Sequence, residues 1–157
     1  SGRPGAKQAH RDAERGFRKF LREGPAGELN NLAWLLAAAA DPRVRHPGWA
    51  VELAQKAVDS VPKAGAIWNT LGVAQYRAGD WKAAIAALEK SMELRKGGDS
   101  LDWFFLAMAH WKRGEKDKAG EWYDRAVQWM DKNQPTNDEL RHFRAEAAEL
   151  LELKEKK

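Results

Sequence analysis

Apolar positions recur along the chain at helical intervals. Trp68, Leu71, Val73 and Ala74 mark the face of one helix, and Ala84, Leu88 and Met92 mark the face of a second. Between them, Ala78-Gly79-Asp80 reads as a turn, because glycine supplies a left-handed helix stop and Asp80 can accept amide hydrogens at the start of the next helix. The pattern predicts a helical hairpin, and it then repeats. Trp68 returns as Trp103, Leu71 as Leu106, Gly79 as Gly114, Ala84 as Ala119 and Leu88 as Tyr123, all at one fixed spacing.

The flanks carry weaker versions of the same unit. Leu29, Leu32 and Ala33 open a helix, and Ala50, Ala54, Ala57 and Pro62 close one, with an insertion from Asp41 to Gly48 lengthening the turn. Further upstream, Ala13, Phe17, Phe20, Leu21 and Pro25 look like the second helix of a hairpin whose first helix is not in this sequence. Such a helix buries its apolar face only against neighbours, so the chain reads as a piece of a longer protein. At the other end, Thr136-Asn137-Asp138-Glu139 reads as a capping box. Leu140, Phe143, Ala147, Leu150 and Leu151 then share one face while Arg141, Arg144, Glu146 and Glu149 lie elsewhere, as expected of a polar-backed lid on the last repeat.

These residues resemble the tetratricopeptide-repeat (TPR) family, whose pattern is W-x2-L-G-x2-Y, then A-x3-F, then P, over about 34 residues. Trp68-Asn69-Thr70-Leu71-Gly72 matches the opening of that pattern, Gln75 stands where Tyr is usual, and Ala84-x3-Leu88 replaces A-x3-F. The following unit has Ala107 in place of the usual Gly, still small enough for close helix approach. The resemblance implies an all-α, TPR-type α-solenoid of antiparallel helical hairpins wound into a right-handed superhelix. The expected organisation is a single domain over 1–157, comprising an orphan or capping helix at 6–25, a repeat with a long elbow at 28–62, repeats at 65–98 and 100–133, and a C-terminal capping helix at 136–153. The layout also resembles TPR segments at the C-terminal ends of large bacterial multidomain proteins.

Composition narrows the function. The 157 residues contain no cysteine, which excludes disulfides and thiolate metal sites and is compatible with a reducing, cytoplasmic location. The longest apolar run, Leu32 to Ala40, is too short to span a bilayer, so no membrane is expected. A net charge of +4 is spread over interspersed acids and bases, and the basic cluster at Lys154 to Lys157 suits a solvated terminus better than a nucleic-acid site. His10, His46, His110 and His142 have no metal-ligand spacing, Gly97-Gly98 lacks the Lys and Ser/Thr of a phosphate loop, and Glu89 with Glu93 is an ordinary charged helix face. No catalytic residue, metal or cofactor is expected.

In TPR arrays the first helices of successive hairpins line a concave surface. Carried over by register, the resemblance places Asn30, Trp34 and Ala37 there from the early repeat, Asn69, Val73, Tyr76 and Arg77 from the next, and Phe104, Met108, Trp111 and Lys112 from the last. The implied function is a non-catalytic scaffold that binds a peptide or helix of another protein in this groove, gripping apolar side chains while Asn30 and Asn69 bond the ligand backbone. A chaperone carboxylate clamp is not favoured, because Asn69 and Phe104 stand where it would want cations. The alternative is self-association into a homo-oligomer through the N-terminal edge at Phe17, Phe20 and Leu21.

Overall fold

The computed structural model describes residues 3–153, which form α1 (Pro4–Glu23), α2 (Ala26–Ala38), α3 (Pro47–Ser60), α4 (Gly65–Arg77), α5 (Trp81–Leu94), α6 (Ser100–Lys112), α7 (Lys116–Asn133) and α8 (Asp138–Leu150). The described residues contain no strand. Pairs α2/α3, α4/α5 and α6/α7 are antiparallel hairpins stacked side by side, the all-α solenoid that the repeat pattern implies.

Local chemistry accounts for each break. Gly79 and Gly114 take φ of 85° and 81°, the left-handed stop that ends α4 and α6. Asp80 then accepts from the Ala83 amide at 3.1 Å to open α5, and Asp99 with Asp102 forms a capping box on α6. The first hairpin instead turns through residues 39–46, closed by the Arg45 side chain donating to the Ala39 carbonyl at 2.7 Å, and α3 starts at Pro47 with His46 as its cap. At α8 the cap is Asn137, which accepts from the Leu140 amide at 2.9 Å; the expected Thr136–Glu139 box is replaced by this contact one residue later.

The equivalent tryptophans show the repeat in three dimensions. Trp68 donates its indole hydrogen to the Pro62 carbonyl at 2.8 Å, and Trp103 donates to the Gly97 carbonyl at 3.2 Å, so each ring pins the start of its hairpin to the preceding connection. Gly72 faces α5 so closely that a Cβ there would meet Leu88 Cγ at 2.6 Å. Ala107 occupies the corresponding place in the next hairpin, fully buried.

The two ends of the array differ. At the start, α1 packs lightly on α3 through Phe17, whose ring stacks on Trp49 at 4.2 Å, and an Arg18–Glu52 ion pair; residues 4–16 of α1 are exposed. At the finish, α8 does not continue the stack over α7, against which it makes few contacts. It folds back against α6 and crosses the first helices of the array. Phe143 meets Phe105 of α6 at 4.9 Å and Trp34 of α2 at 6.2 Å, and Glu146 pairs with Arg77 of α4. Leu140, Phe143, Ala147 and Leu151 are buried by this docking, and Leu150 is half-buried.

Arg77 is the hub of that arrangement. Its side chain is 7% exposed, holds both carboxylate oxygens of Glu146 (one bond at 2.9 Å), and donates to the Ala37 carbonyl at the end of α2 at 3.0 Å. Removing one partner of a buried ion pair leaves the other charge uncompensated, whereas replacing both by apolar groups is far less costly. Arg77→Met or Glu146→Leu alone is therefore expected to lower unfolding free energy by about 3 kcal/mol. The double variant should recover much of that loss, as read from urea denaturation followed by circular dichroism.

Candidate functional site

The concave side is built from α2, α4 and α6, and α8 divides it. Much of this side is closed: Val73, Phe104 and Met108 have no accessible surface, and Tyr76 retains 7%. Phe104 turns to Tyr123 of α7 at 5.9 Å, and Tyr76 lies against Phe105 at 5.5 Å. These four residues, expected on the groove surface, belong to the core, because the α6/α7 hairpin and α8 supply the apolar partners that a ligand was expected to supply. Burial, with Glu146 beside it, pushes the Tyr76 phenol up to about 12, so it stays protonated at any physiological pH.

Arg77 and Ala37 are likewise internal. Trp111 and Lys112 remain accessible but lie at the far ends of the first helices. The Lys116 ammonium sits 4.8 Å from the centre of the Trp111 ring, and the Lys112 ammonium sits 5.6 Å from that of Trp81. Neither is among the residues that line the cleft at Asn30, Trp34 and Asn69.

Asn30, Trp34 and Asn69 do come together. They line a cleft of about 450 Å³ with Asn31, Ala66, Thr70, Leu101 and Glu139, where the opening turns of α2, α4 and α6 meet the start of α8. Half-buried Trp34 also lines an adjoining cleft of about 390 Å³, between α2 and α8, with Leu35, Ala38, Ala39, Ala40, Asp138, Glu139, His142 and Phe143. The two form one trough passing over Trp34. Sequence reasoning missed its α8 wall, because Asp138 and Glu139 read equally well as helix-start acids and only the fold-back brings them opposite α2.

Two features set the polarity of this trough. Asn69 is held from behind, its Nδ2 donating to Asp102 at 2.7 Å, and Asp102 is fully buried beside Arg95. Asn30 Oδ1 is buried and meets no donor. An unmatched acceptor of this kind is unfavourable by about 1–3 kcal/mol until a donor arrives.

The sequence profile of the tetratricopeptide repeat matches residues 43–99 and 103–138. The chain belongs to the tetratricopeptide-repeat family. No curated protein matches it. TPR repeats generally mediate protein–protein interaction and are typically non-catalytic scaffolds. No helix among the described residues of this TPR array is long and apolar enough to cross a membrane, and no group of three His, Asp or Glu side chains there could hold a metal ion.

Asp102 offers a test of the wall behind Asn69. Burial raises its pKa above the ordinary 3.8, against the opposing pull of Arg95 and the Asn69 hydrogen bond. Stability from this group is therefore fullest below the unfolded value and is lost as pH rises through the higher folded value. Urea midpoints measured from about pH 3 to pH 7 should show that the difference between wild type and Asp102→Asn changes across this window, with Asn replacing a carboxylate that is costly to ionise.

Proposed function

We propose that the chain is a protein-interaction scaffold that takes a segment of another polypeptide in the trough over Trp34. The observation that carries this reading is the convergence of Asn30, Trp34 and Asn69 from two successive first helices on one open cleft, while Val73, Tyr76, Phe104 and Met108 are withdrawn from solvent. The cleft offers an aromatic anchor flanked by amide groups that can bond an extended backbone, the combination that dominates many peptide interfaces. Its elements are rigid helices rather than loops, so little ordering is needed on binding. As part of a larger multidomain protein, such an array would bring its partner to the neighbouring domains.

A second reading, self-association, is favoured by the N-terminal edge. Phe17 is buried on Trp49 and is not available, but residues 4–16 of α1 are exposed, and an apolar-walled cleft of about 440 Å³ lies between Leu21 and Val51. Of the Phe17, Phe20 and Leu21 edge expected from sequence, Leu21 borders this cleft.

Two measurements separate the readings. Trp34→Ala should abolish capture of a specific partner in a pull-down, with helicity unchanged by circular dichroism; a partner retained at wild-type level would rule out the trough. Leu21→Glu should leave that capture intact, and light scattering over a hundredfold concentration range should show a wild-type mass that rises with concentration only if the α1 edge pairs.

A further inference from the structure

We propose that the trough selects a basic side chain of its partner polypeptide, an arginine above all, seated against Trp34 and facing the carboxylates of Asp138 and Glu139. This rests on the reading of the trough as a peptide site and adds the chemistry it recognises.

The chain has 27 Lys and Arg residues against 23 Asp and Glu, yet neither half of the trough is lined by a single Lys or Arg. Its charged lining is Asp138 and Glu139, with His142 the one residue able to become cationic. Glu139, which borders both clefts, has no salt-bridge partner within 4 Å among the described residues, whereas Asp138, 98% exposed, pairs with Arg141 at 3.7 Å. On a surface where charges otherwise alternate in sign, this is an acidic concavity with an aromatic residue at its centre.

The neutral groups agree in sign. Asn30 also borders the cleft, with its Oδ1 buried and without a donor. Asn69 uses its NH₂ on Asp102, so its Oδ1 remains for a ligand. The Thr70 hydroxyl donates to the Ala66 carbonyl at 3.2 Å, so it too can only accept from a ligand. A donor-rich, weakly hydrated cation can serve the Asn69 and Thr70 acceptors together with the Glu139 carboxylate, and guanidinium suits them better than ammonium because it is planar, stacks on indole and forks onto carboxylates. The positive end of the α8 dipole opposes this, but Asn137 already accepts from the Leu140 amide there, and the full negative charge of unpaired Glu139 outweighs the residual partial one.

The test uses the whole chain, ¹⁵N-labelled, titrated with N-acetyl-arginine amide and with its neutral isostere N-acetyl-citrulline amide. The Trp34 indole signal is assigned by Trp34→Phe. Arginine amide should give saturable shifts at the Trp34 indole and at the Asn30 and Asn69 side-chain amides, binding at least about fivefold more tightly than citrulline amide. Glu139→Gln, and more so Asp138→Asn with Glu139→Gln, should reduce that preference towards unity without changing the helical spectrum. Equal binding of the two probes at Trp34 would overturn the charge selection while leaving the trough as a peptide site. Absence of shifts at these three residues would overturn the subsite, and the Trp34→Ala pull-down then decides the peptide site independently.

Discussion

The ion pair between Arg77 and Glu146 is the constraint on which the shape of the concave face depends. It joins α4 to α8, and the same guanidinium reaches the last turn of α2 through the Ala37 carbonyl. A guanidinium can serve three elements because it carries five donors in a fixed fork, and here it also lies over the Phe105 ring at 5.4 Å. With only 7% of its side chain exposed, it must be fully paired to be tolerated, which makes the position of α8 a condition of the fold and not a surface adornment.

Once α8 is fixed there, the rest follows from packing. Phe143 fills the space between Trp34 and Phe105 with edge-to-face ring contacts, and the floor formed by Val73, Tyr76 and Met108 is withdrawn from solvent. The groove that a longer array would present along its whole concave side is thereby shortened to a trough at the opening turns of the first helices. Docking α8 closes one surface and, by placing Asp138 and Glu139 opposite α2, builds the wall of another.

The asymmetry of the two ends has a related cause. Each hairpin exposes an apolar face that must be met by something, and the array meets it at the C-terminal side with an amphipathic helix of its own. At the N-terminal side only the last turns of α1 are engaged, through Phe17 on Trp49, and the remainder of that helix is solvated. Residues 4–16 include no Leu, Ile, Val, Met, Phe, Tyr or Trp, so their exposure carries little hydrophobic penalty.

Much of the molecule was legible in the sequence because it is local. The hairpins, the glycine stops at Gly79 and Gly114, the Asp80 cap and the burial of Ala84, Leu88 and Trp103 all follow from periodicities and turn chemistry that act within a few residues. The amphipathic face of α8 was legible for the same reason. Its destination was not, because a periodic stripe states which residues need burial and leaves open what buries them. Arg77 and Glu146 are 69 positions apart, and no local propensity connects them. Tertiary structure alone therefore decided that Phe104 turns inward to Tyr123, that Asn30, Trp34 and Asn69 border one cleft, and that two helix-start carboxylates face them, the last because of the distant surface that α8 meets.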